Sequence, residues 1–173
     1  MGVEECDVPH ASLLDPAKVR AADFKDAYRA PIARSDQGMV ELFAALFGHH
    51  PLPVKLALVA RNAVAGLCGL NVPPAADILR PAIRGSYAVG DKIGPWPVFA
   101  ITEHELIAGR DNGHMDFRLS VLKTRHGDAA SVTVSTICNV HNDFGRVYLR
   151  LITPFHRAGV KSLMARALAA GRL

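Results

Sequence analysis

The residues best suited to chemistry are Asp111, His114, Asp116, Asn139 and His141. Turn positions in the surrounding sequence place them in neighbouring rows of one hairpin array. Imidazoles and carboxylates on adjacent strands bind a metal ion or share general acid–base work. A cyclase, hydrolase or lyase would use His114, His141 and Asp116, with Arg118 beside them. The same residues also suit a solvated sheet face carrying cross-strand ion pairs, which needs no ligand. Cys6, Cys68 and Cys138 stand at no metal-ligand spacing. There is no glycine-rich phosphate loop, nucleophile elbow or His-Glu-x-x-His motif. No catalytic residue, metal or cofactor is assigned from motifs.

A second group suits binding instead. Phe99, Met115, Phe117 and Phe155 supply apolar walls, and Arg110, Thr136 and Tyr148 are polar exceptions among them. A pocket that is mostly apolar with a few polar groups is the usual form of a small-molecule site. Arg110, or Arg166 near the chain end, would anchor an anionic head group, with Thr136 and Tyr148 as hydrogen-bonding partners. The plainer assignment puts Arg110 at a rim, Thr136 on backbone and Tyr148 in ordinary core. His156, in the run Pro154–Arg157, can move a proton, but it falls on the flank of its helix, where a structural role beside Pro154 is expected. His49 and His50 lie between Gly48 and Pro51 and read as a surface loop. Cys138 reads as an inert, inward-facing thiol.

Hairpins position these residues. Asn112-Gly113 predicts a tight turn pairing Asp111 with His114 and Gly109 with Asp116. Gly127-Asp128 predicts a second, pairing Val121 with Val134, Phe117 with Cys138, Met115 with Val140 and His114 with His141. A third near Glu103-His104 pairs Ile101 with Leu106 and Phe99 with Ala108. With a side-chain period of two, these registers gather Phe99, Ile101, Leu106, Met115, Phe117 and Val134 on one face. Asp116, Arg118, Ser120, Thr133, Ser135 and Asn139 gather on the other. The prediction is an antiparallel meander over 96–141, apolar on one side and solvated on the other.

Upstream, Asp23–Ala30 reads as an edge strand ending at Pro31, after an irregular lead-in over 1–22. Two short helices follow, about 37–47 behind Ser35-Asp36 caps and about 53–68 closed by Gly69. Pro73-Pro74 opens a linker-like stretch. Downstream, Asp143 caps a helix over 144–170, about 40 Å long. Phe144, Tyr148, Leu151, Ile152, Phe155, Gly159 and Leu163 form its expected inward stripe, with Arg146, Arg150, Arg157 and Lys161 opposite. Pro154 predicts a kink or a local break. The apolar sheet face needs a cover and the apolar stripe needs a bed, so each is expected to pack on the other.

The resulting fold class is α+β, a curved antiparallel sheet wrapped around a long C-terminal helix, with residues 23–173 as one domain. The 173-residue chain can bury roughly 70 % of its unfolded surface. Its net charge of +4 is too small and dispersed to indicate nucleic acid. Glu4, Glu5 and Asp7 occupy the place of a basic export region, and Lys55 and Arg61 interrupt the longest apolar run, so no membrane span is expected. With scattered cysteines, a cytoplasmic location follows.

The order of strand, two helices, meander and long helix resembles the helix-grip fold of the START-like and polyketide-cyclase (SRPBCC) superfamily. The segments IGPWPVF (93–99), HMDFRLSV (114–121) and HNDFGRVYLRLITPFHR (141–157) resemble a bacterial family of uncharacterised domains within it. The resemblance implies an interior cavity for a hydrophobic or amphipathic small molecule and carries over no reaction. A third reading, a structural module forming a homodimer or partner contact, rests on Trp96, Val98 and Ile107 as an outer-face patch.

Overall fold

The computed structural model describes residues 2–49, 51–67, 72, 74–79, 84–127 and 129–173. The expected roles of His50, Cys68, Gly69, Pro73 and Asp128 lie outside these residues. The elements are β1 (Glu4–Glu5), α1 (Pro16–Arg20), β2 (Phe24–Ile32), α2 (Met39–Phe47), α3 (Leu52–Leu67), α4 (Ala75–Leu79), β3 (Lys92–Ile93), β4 (Trp96–Ile101), β5 (Glu105–Asp111), β6 (Met115–His126), β7 (Ala129–Val140) and α5 (Asp143–Ala169). The strands form one curved, open antiparallel sheet in the order β1-β2-β7-β6-β5-β4-β3. The expected α+β class, with a long C-terminal helix against the sheet, is the observed one.

The β6–β7 register is as expected, with Met115 opposite Val140, Phe117 opposite Cys138 and Val121 opposite Val134. Gly127 opens that turn at a φ of 59°, the left-handed region that glycine enters without a Cβ clash. The β5–β6 register differs from expectation by two residues. Asp111 faces Asp116, not His114, and Gly109 faces Arg118, not Asp116. The loop is held from outside, because Asn142 Nδ2 donates to the Gly113 carbonyl at 3.2 Å. A shift of two keeps every side chain on its expected face.

The β4–β5 pair begins as expected, with Ile101 opposite Leu106, but a register shift lies between Val98 and Ala100. The bulge moves one residue across the sheet, so Val98 points inward and Phe99 outward. The placement of Phe99 on the inner face is therefore corrected. So is the outer patch: Val98 and Trp96 belong to the main core, and Ile107 is buried.

α2 starts at Met39 with Gly38 as its N-cap residue, without the side-chain cap expected from Ser35 and Asp36. Its Leu42, Phe43, Leu46 and Phe47 fill one end of the concave face together with Val160, Met164 and Ala167 of α5. At the other end, Leu149 of α5 covers Met115 and Cys138.

α5 is capped by Asn142, not Asp143, with Asn142 Oδ1 accepting from Gly145 N at 2.9 Å. It continues through Pro154 without a break. Arg150 and Pro154 both face solvent, so the carbonyl freed by the proline can bond water. The helix is turned relative to expectation. Its buried residues are Gly145, Leu149, Val160, Met164 and Ala167, whereas Phe144, Leu151 and Phe155 are exposed. Gly145 explains the rotation, since a Cβ there would lie 2.2 Å from the His114 carbonyl oxygen. Only glycine permits the first turn of α5 to approach the start of β6 this closely.

The outer face is not open to solvent as expected. Leu14, Val8, Val19 and Ala22, from the N-terminal segment and α1, pack over Ile107, Ile137 and Phe99. Buried Glu105 fastens this cover. Its carboxylate accepts from Ser12 Oγ at 2.6 Å, Leu13 N at 2.6 Å and Ser120 Oγ at 2.5 Å.

Candidate functional site

β2, β7 and the middle of α5 bring together a polar group that the sequence reading did not assemble. Phe24, Asp26, Tyr28, Ala30 and Ile32 alternate with the outward residues of β2, so Asp26 points into the concave face. Asp26 pairs with Thr136 across the β2–β7 ladder, and Phe24 pairs with Cys138. From above, His156 lies on the inner side of α5, between the turns that carry Leu149 and Val160.

His156 Nε2 is 3.3 Å from each carboxylate oxygen of Asp26. Its hydrogen bond is to Oδ1. Asp26 Oδ2 and Thr136 Oγ1 are buried and have no hydrogen-bond partner among the described residues. Only 1 % of the Asp26 side chain is exposed, against 25 % for His156. The His156 ring meets Phe24 edge-on at 5.4 Å. His156 was expected on the helix flank in a structural role, and its position facing Asp26 corrects that placement.

The surroundings are apolar and aromatic. Met115 and Cys138 form the floor, and half-buried Phe117 and Tyr148 stand beside them. Phe117 meets Trp96 at 6.0 Å, and Trp96 continues to Phe43 and Phe47 of α2. Arg110 sits at the rim, donating from Nη2 to the Pro95 carbonyl at 2.9 Å. Burial, with the Asp26 charge close by, pushes the Tyr28 hydroxyl above its ordinary value. Burial pushes the Cys138 thiol up to about 12, which leaves it protonated and a poor nucleophile at neutral pH.

Of the expected binding residues, Met115, Phe117, Thr136 and Tyr148 lie on the concave side, with Arg110 at its rim. Phe99 lies on the opposite face, with the Arg118 guanidinium 3.6 Å from its ring centre. Phe155 is 80 % exposed.

The polar row separates into pairs on the outer face. Arg118 Nη1 donates to Asp111 Oδ1 at 2.6 Å, and this bond holds the Asp111 carboxyl below its ordinary value. His141 Nε2 lies 3.0 Å from Asp116 Oδ1. Asn139 Nδ2 donates to the Lys18 carbonyl at 3.3 Å. His114 leaves the row, its ring packing edge-on against Phe144 and Tyr148 at 5.4 and 5.7 Å. Among the described residues, no group of three or more His, Cys, Asp or Glu side chains is placed to hold a metal ion.

An open cleft of about 470 Å³ lies between the N-terminal segment and β2, lined in part by Cys6, His10, Arg20 and Lys25 and reaching Asp26. No helix among the described residues is long and apolar enough to cross a membrane.

A protein-family profile covers both halves of the concave polar group, matching residues 18–163. The chain belongs to the family of proteins of unknown function DUF2867. The DUF2867 match takes in Asp26, Glu105, Thr136 and His156, and it begins beyond the Ser12 that Glu105 holds. No curated protein matches the chain, and no solved structure does.

Proposed function

We propose that this DUF2867 protein is a cytoplasmic, START-like helix-grip domain that binds a largely apolar small molecule in its concave face. The ligand's polar end carries a hydrogen-bond donor, a hydroxyl or an amine, directed at Asp26 Oδ2 and Thr136 Oγ1. One observation carries the reading: the buried Asp26 carboxylate, met on one side by His156, and the paired Thr136 hydroxyl each carry an oxygen with no hydrogen bond among the described residues, in apolar surroundings. A buried polar atom without a partner costs on the order of 1–3 kcal/mol, so a bound donor recovers a substantial term. Phe117, Tyr148 and Trp96 supply the wall, and Met115 the floor. A carboxylate-headed ligand is disfavoured at the deep end by the Asp26 charge and would have to turn its head toward Arg110.

Matched long-chain and aromatic alcohols, amines and carboxylates separate these orientations. Alcohols or amines are expected to raise the melting temperature. Phe117→Asp and Tyr148→Ala are expected to weaken binding by about tenfold or more. If no member shifts the melting temperature and the interior is filled by side chains, the reading fails.

The Asp26–His156 contact favours a second reading, an acid–base enzyme of the cyclase, hydrolase or lyase type. A carboxylate orienting an imidazole is a common arrangement for proton transfer. In that case His156→Gln retains ligand binding and loses turnover.

A further inference from the structure

The solvent side of α5 is apolar where a helix packed by one face on a sheet normally presents polar residues. Phe144, Val147, Leu151 and Phe155 recur at steps of three and four residues and are 49, 57, 67 and 80 % exposed. Ala158 continues the line, which extends about 17 Å from Phe144 to Phe155. The stripe lies opposite Gly145, Leu149 and Val160, so the same helix is apolar on both sides.

Charge indicates what covers it. Arg150, Arg157 and Lys161 are exposed along one shoulder of the stripe. From Phe144 to the chain end there are also Arg146, Arg166 and Arg172, and no Asp or Glu. Two copies meeting symmetrically through this face would oppose two basic helices, in each of which the one acid, Asp143, stands at the first residue and is paired with Arg146 at 3.4 Å. α3, the other helix with exposed Leu52, Val54 and Leu56, carries Lys55 and Arg61 and also has no acid. Neither supplies the negative charge that the shoulder requires. An apolar interior beneath an anionic layer matches both features, and large apolar residues beside Arg and Lys mark helices that lie in the plane of a membrane surface.

We propose that the outward face of α5 is a peripheral docking surface for an anionic lipid bilayer. Phe155, Leu151, Val147 and Phe144 enter the headgroup boundary, and Arg150, Arg157 and Lys161 meet lipid phosphates. This inference is independent of the concave-site reading.

Sedimentation of the full chain with phosphatidylcholine vesicles, with and without phosphatidylglycerol, tests it. The protein is expected to partition onto the phosphatidylglycerol-containing vesicles and to dissociate as salt rises. The double variants L151S/F155S and R150E/K161E are expected to lose partitioning by about tenfold or more, with circular dichroism unchanged because the altered side chains face solvent. Absence of partitioning, or partitioning that L151S/F155S leaves unchanged, overturns the proposal. So does a stable wild-type dimer that L151S/F155S disperses, since a second copy would then be the occupant.

Discussion

At the scale of single residues, Asp26 and His156 form an asymmetric pair, a carboxylate almost wholly buried against a ring one-quarter exposed. Removing only the ring leaves the carboxylate without its partner, whereas Asp26→Asn removes the charge that is costly to bury. Urea unfolding is therefore expected to show His156→Ala destabilised by about 2–4 kcal/mol and Asp26→Asn by less than about 1 kcal/mol. The double variant should recover most of the His156→Ala loss. Cys138 gives a pH prediction. Its pKa rises from about 9 to about 12 on folding. The thiol therefore favours the folded state fully below pH 9, and that contribution is lost as pH climbs toward 12. A thiol reagent at pH 8 is expected to leave Cys138 unmodified until the chain unfolds. Asp111 behaves oppositely. Its depressed pKa favours folding above the ordinary carboxyl value, and the contribution is lost as pH falls below it. Arg118→Ala should raise the Asp111 value in a carbon-detected titration.

At the scale of elements, the difference between the expected and observed faces of α5 shows what periodicity can settle. The helix carries two apolar stripes, and a period of 3.6 fits both, so the pattern alone does not say which packs inward. The deciding residue is Gly145, whose missing side chain admits the His114 carbonyl. Gly145→Ala is expected to cost about 1–3 kcal/mol and to move His114, Phe144 and Tyr148 resonances together. The meander was readable because a period of two assigns faces without ambiguity, and even the two-residue offset at Asn112-Gly113 preserved them. Phe99 was misplaced because a bulge changes faces without a sequence mark as definite as a turn. Asp26 was within reach of the same alternation. It shares a parity with Phe24, Tyr28, Ala30 and Ile32, a carboxyl group among core residues.

At the scale of the whole molecule, the sheet is covered on both sides, by α2 and α5 within and by the N-terminal segment without. The outer cover was not legible, because short apolar residues spread over 8–22 have no periodicity and their anchor, Glu105, lies more than ninety positions away. Glu105→Ala leaves three donors unpaired and is expected to destabilise the protein by about 3 kcal/mol. It should also expose the bonds after Lys18 and Arg20 to trypsin, measured by the rate of limited proteolysis. In the proposed binding mode a ligand enters between α5 and the sheet and meets Asp26. Chemical-shift mapping with the alcohol or amine that most raises the melting temperature tests it most directly. Shifts at Met115, Phe117, Thr136, Tyr148 and His156, reduced in Asp26→Asn, are the predicted result. Shifts confined to Cys6, His10, Arg20 and Lys25 around the outer cleft would contradict it.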